Sequence, residues 1–207
     1  MKDENNKIEE MDLLPIPLPQ AIDFIKRFKS DTVHAIPTAW LFEDYIIPLL
    51  SIPGFEGIRF YTAIDIEKYS ANNGIITFIM VPVIKDNNNV LIELENKAYE
   101  FSKMCPRICN NGIPGPIISD ASIMIPRSYF FSKSFLVSNF SMHNQSKGFR
   151  LYSEIINSRL ELRMVPVVDI APNYDDLPAP NYTGNYLVCD ANNLQNCDLT
   201  SILYKAQ

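Results

Sequence analysis

The sequence predicts an α+β protein made of two related halves. Each half carries one or two helices on one side of a small antiparallel meander, and the halves pack about a pseudo-twofold axis. Three observations lead there. A hairpin signature occurs twice in the same order. Apolar residues alternate with period two in some segments and recur at helical spacing in others. Apolar residues make up 47% of the 207 residues and charged residues 20%, enough to build a core and too few charges for a disordered chain.

The repeat is read from four landmarks. Gly57-Ile58-Arg59-Phe60-Tyr61 returns as Gly148-Phe149-Arg150-Leu151-Tyr152, 91 positions on (57 to 148). Met80-Val81-Pro82-Val83 returns as Met164-Val165-Pro166-Val167, 84 positions on (80 to 164). The smaller offset follows from a shorter hairpin loop in the second copy: Glu67–Gly74 shrinks to Asn157-Ser158. Upstream, Ile36-Pro37-Thr38-Ala39-Trp40-Leu41-Phe42 matches Ile125-Pro126-Arg127-Ser128-Tyr129-Phe130-Phe131. Downstream, Tyr99 and Cys105/Cys109 stand where Tyr182 or Tyr186 and Cys189/Cys197 stand. Two unrelated hairpins of common strand composition are the competing reading, and the shared order of landmarks favours duplication. The implied organisation is a polar and proline-rich segment 1–19, a first repeat 20–112 and a diverged second repeat 113–207.

In chain order, Pro15–Pro19 is extended because each proline fixes φ and removes a donor. Gln20–Lys29 is a helix with Ala21, Phe24, Ile25 and Phe28 on one face. Ala39 to about Ile47 is a second helix, capped by Thr38 and stopped or kinked by Pro48. Gly57–Ile64 and Ile75–Ile84 are strands, the second apolar on both faces and therefore central. Pro82 marks an edge, a bulge or an end in it. Val90–Glu95 and Asn96–Met104 supply further strands, the latter at an edge. Ser128–Phe140 is a buried helix or bent strand. Gly148–Ile156 and Arg159–Val168 form the second hairpin. Asn185–Cys189 is a last short strand, and Leu199–Tyr204 packs down on the body.

One resemblance adds to this. Gly57-Ile58-Arg59-Phe60-Tyr61, the apolar strand Ile75–Ile84 and Cys105-Pro106-Arg107-Ile108-Cys109 are similar to the signature of a family of short bacterial proteins, itself uncharacterised. The likeness covers residues 20–110. The second half resembles that family only as a diverged copy, since Cys189 and Cys197 are seven residues apart in the intervening count and lack the proline. The resemblance implies a tandem duplication of the unit and carries no activity with it.

The net charge of −6 argues against nucleic acid and anionic membrane surfaces as partners, because both reward clustered Lys and Arg. Met1–Glu10 lacks the apolar stretch of a signal peptide, and no apolar run approaches a membrane span. A soluble cytoplasmic protein is expected, in which four cysteines are thiols or metal ligands rather than disulfides.

Two sets of residues are candidates for chemistry. Cys105, Cys109, Cys189 and Cys197 would close a tetrahedral zinc site if the two pairs met. Their spacing is not the short double Cys-x2–4-Cys, and Cys105/Cys109 has one residue too many for a thioredoxin-like motif. Simple buried or loop thiols are the favoured reading, and no cofactor is expected beyond the zinc those thiols would hold. Arg59, Tyr61, Arg150 and Tyr152 are the second set. Two guanidiniums at equivalent sheet positions would frame an anionic ligand or a partner's carboxylates. The favoured alternative is that each Arg pairs with a carboxylate across the sheet, with Tyr packed beside it. His34 and His143 sit in polar surroundings without a triad or metal motif, and glycine-rich phosphate loops and nucleophile elbows are absent from the sequence.

The function expected from this is a non-enzymatic binding or protein-interaction module. Thiol-redox or structural-zinc chemistry at the cysteines is the first alternative. A small-ligand carrier with a cleft between the halves is the second. The partner is an unidentified protein or small ligand.

Overall fold

Alternating apolar strands and one short amphipathic helix dominate the computed structural model, which describes residues 13–27, 34–35, 39–65, 75–101, 117–118, 126–142, 148–167, 186–189 and 201–205. In chain order the elements are β1 (Leu13–Pro15), α1 (Leu18–Arg27), β2 (His34–Ala35), β3 (Ala39–Phe42), α2 (Glu43–Leu50), β4 (Phe55–Asp65), β5 (Ile75–Lys85) and β6 (Leu91–Glu93). A 3-10 turn, Glu95–Lys97, leads to β7 (Tyr99–Phe101). Then come β8 (Ile117–Ile118), β9 (Ser128–Ser132), α3 (Lys133–Met142), β10 (Gly148–Ile156), β11 (Arg159–Val167), β12 (Tyr186–Cys189) and α4 (Ile202–Lys205). Helices and antiparallel sheets together make the α+β class that the sequence predicts. None of the described helices is long and apolar enough to cross a membrane.

Seven strands form the large sheet, in the order β1-β7-β5-β4-β9-β12, with β6 also on β5. A second sheet has the order β11-β10-β3, and β2 pairs with β8. The β5 strand is central, as its two apolar faces require. Pro82 falls where the neighbour of β5 changes from β7 to β6, and its carbonyl accepts from the Leu94 N–H at 2.9 Å. A residue without an N–H costs nothing in such a gap. Strand β7 is interior rather than at the edge, because β1 pairs outside it.

The large sheet is covered on both faces. Ala21, Phe24 and Ile25 of α1 and Leu203 of α4 pack on Tyr61, Ala63, Ile79 and Val81. On the other face, Ile58, Phe60, Phe78 and Met80 meet Phe149, Leu151, Leu160, Leu162 and Met164 of the small sheet. These side chains pack between the sheets, and none is more than 1% exposed. Helix α3 bridges the layers through aromatic rings: Phe131 lies 5.6 Å from Phe135, which lies 6.3 Å from Phe149. Tyr129 ties them together by donating to the Leu160 carbonyl at 2.9 Å.

The segments around Trp40 and Tyr129 differ from expectation. Each begins as a strand, β3 or β9, and only then turns into a helix. Ser132 starts α3, its Oγ accepting from the Phe135 N–H at 3.2 Å. Pro48 lies inside α2 rather than ending it. The short strands also do not pair within their own halves. Strand β9 pairs with β4, so that Gly57 faces Ser132, the residue before α3. Strand β3 pairs with β10, so that Gly148 faces Phe42, the residue before α2. Each strand–helix–hairpin unit therefore lends its short strand to the other unit's hairpin, and the halves are not separate meanders. Arg59 stands opposite Phe130 and Arg150 opposite Trp40, so the ladders match Trp40 with Phe130, one residue from the sequence match with Tyr129.

Candidate functional site

Gly57, Arg59 and Tyr61 share one face of β4 by simple alternation, the face that α1 covers. The glycine is there for space. A Cβ at Gly57 would lie 2.2 Å from the Phe131 carbonyl oxygen and 2.8 Å from the Phe130 ring. Its absence lets β9 close on β4 beside an irregularity in the β4–β5 register between Phe55 and Gly57. The Phe130 ring then lies under the Arg59 guanidinium, 5.5 Å from ring centroid to Cζ, at cation–π distance.

Arg59 is 1% exposed. Its Nη1 donates to Ser128 Oγ at 3.0 Å, and its Nε lies 2.9 Å from Glu93 Oε1. That Nε–H is not aimed at the oxygen, so the contact is an ion pair rather than an aligned hydrogen bond. Tyr61 Oη donates to the same carboxylate, 2.6 Å from Oε1 and 2.8 Å from Oε2. Ser201 Oγ donates to Glu93 Oε2 at 2.8 Å. One buried carboxylate thus gathers a guanidinium, a phenol and a hydroxyl. Burial first, and then the adjacent Glu93 charge, push the Tyr61 phenol far above its ordinary value. It is a neutral donor at any physiological pH.

Elsewhere, burial raises the Tyr129 phenol well above its usual range, with the Glu161 charge adding to it. Partial burial also raises the Glu161 carboxyl against the opposing charge of Arg159, whose Nε is 3.6 Å away.

The structure brings Arg59 and Tyr61 together, but inside the molecule. Arg150 and Tyr152 lie in β10 opposite Val165 and Arg163 of the small sheet. Their side chains lie outside the described part. Of the cysteines, Cys189 pairs with Ser128 through the β12–β9 ladder. Its side chain, and Cys105, Cys109 and Cys197 entirely, lie outside the described residues. Among the described residues no group of three or more His, Cys, Asp or Glu side chains is placed to hold a metal ion. His34 is in β2, and His143 is outside the described residues.

Glu93 and Ser201 are the residues that the sequence did not single out. The only signal for Glu93 was indirect: a buried strand arginine requires an acid nearby in space. Ser201 carried none, since 108 positions separate it from Glu93.

Comparison with protein-family models, with curated proteins and with solved structures finds no match to the chain.

Proposed function

We propose that the chain is a non-enzymatic protein-interaction module built by duplication of a strand–helix–hairpin unit. The observation that supports this reading is the closure of the Arg59–Glu93–Tyr61 cluster. Arginine, glutamate, tyrosine and serine are catalytic and ligand-binding residue types. Here Glu93 contacts the other three, and the cluster lies under α1 and α4 with its ion pair at 1–2% side-chain exposure. A group that acts on a substrate needs an approach to it. In this cluster the polar atoms are engaged in holding β4, β6, β9 and residue 201 to one another. The apolar side chains buried between the sheets likewise support a packed interior over a ligand cleft.

Exposed apolar side chains occur instead on both unit helices. Ile47 of α2 is 51% exposed and Val137 of α3 is 39% exposed, each the fifth residue of its helix. Equivalent positions on two exchanged units suit a partner with an apolar surface. The resemblance to short bacterial proteins and a cytoplasmic setting belong to the same proposal.

The test is affinity capture from cells with three baits: the native chain, an Ile47→Asp/Val137→Asp variant and a Cys105→Ser/Cys109→Ser variant. The cysteine variant should retain the native set of captured proteins, and the helix variant should lose at least one. Retention by the helix variant with loss by the cysteine variant would move the function to the thiols.

A further inference from the structure

The end of β6 and the acidic turn after it grip a segment more than a hundred positions away. Glu93 Oε2 accepts from Ser201 Oγ at 2.8 Å, and Glu95 Oε1 accepts from the Ile202 N–H. Ser201 Oγ in turn accepts from the Leu203 N–H at 3.1 Å, closing the first turn of α4. Leu203 is fully buried, in an apolar pocket that includes Ala21, Phe24, Ile25 and Ala98. Ile202 is 48% exposed and Lys205 is exposed.

We propose that residues 201–205 are a displaceable strap seated in a peptide-binding groove, and that the groove recognises a hydroxyl residue followed two positions later by leucine. The groove supplies three matched features: a carboxylate for the hydroxyl, a second carboxylate for the next N–H, and an apolar pocket for the leucine. It is built from α1, β4, β5, β6 and the β6–β7 connection, all distant in sequence from the strap. A helix of four residues does not sustain itself in water, so the groove imposes the strap's shape. The strap's outer side is exposed at Ile202 and Lys205, and short surface segments open well below global unfolding. Opening frees the groove for a segment of like sequence from another protein, whose hydroxyl would take the place of Ser201 on Glu93 and close the cluster again. This inference concerns the α1 face and stands apart from the α2 and α3 surfaces.

The probe is a fluorescein-labelled peptide of residues 198–207, titrated by anisotropy into the 207-residue chain. In the native chain the strap competes with the peptide. In the Leu203→Asp chain the groove is vacated, and the peptide should bind saturably and at least about tenfold more tightly than to the native chain. Adding Glu93→Gln to that variant should weaken binding again. A Leu203→Asp chain with native circular dichroism that does not bind the peptide overturns the proposal. If that variant does not fold, Ser201→Ala/Leu203→Ala takes its place under the same criteria. Failure of both variants to fold would make the segment an integral part of the core and overturn the proposal as well.

Discussion

A methyl group at Gly57 has nowhere to go. Its nearest neighbour would be a backbone oxygen, the Phe131 carbonyl, which is fixed by the β4–β9 ladder. Gly57→Ala should therefore destabilise the chain by about 1–3 kcal/mol, the usual cost of overpacking, and urea denaturation would measure it. The Arg59–Glu93 pair behaves differently. A buried ion pair contributes little net stability, because desolvation offsets the attraction, yet removing one partner strands the other. Arg59→Met and Glu93→Leu should each cost about 3–5 kcal/mol in urea denaturation. The double variant should cost less than the sum of the two, because neither charge is then left alone. Strict additivity would mean that the two residues act independently. The motif Gly-x-Arg-x-Tyr was legible as a repeated pattern, and its side-chain alternation followed from strand geometry. Its acid partner was not, because Glu93 reaches Arg59 only through the path of β5 and β6 between them.

At the scale of elements, local chemistry decided what could be read. The β10–β11 hairpin was legible because a two-residue loop must take positive φ. Asn157 and Ser158 do so, at 50° and 58°. Serine is poorly suited to that conformation, so Ser158→Gly should raise stability by about 0.5–1 kcal/mol, seen as a higher melting temperature. Helix α1 was equally legible from the spacing of Ala21, Phe24 and Ile25. Strands β3 and β9 were not. Ala39-Trp40-Leu41-Phe42 runs directly into Glu43-Asp44-Tyr45, and a short apolar run beside a helix has no period of its own. What makes it a strand is the distant partner β10, and tertiary pairing overrides local propensity there.

At the scale of the molecule, the strand–helix–hairpin order appears twice, and the short strands cross between the units. The sequence pattern carried the α+β class and the recurrence of the hairpin. It held nothing about the crossing, since a strand's pattern says which face is buried and not which edge it joins. The crossing explains why the interior is filled. Phe149 and Leu151 of one hairpin share a core with Phe60 and Phe78 of the other, so each unit needs the other to bury its apolar face. It also sets α2 and α3 directly after exchanged strands, where Ile47 and Val137 remain exposed. The most direct test is a nuclear Overhauser spectrum of the isotope-labelled chain, read for cross-strand α-proton contacts. Contacts from residues 39–42 to 148–151, together with contacts from 128–132 to 57–61, are the expected result. Contacts from 39–42 to 57–61, placing the short strand on its own unit's hairpin, would contradict the exchange and count against the interaction surface proposed on α2 and α3.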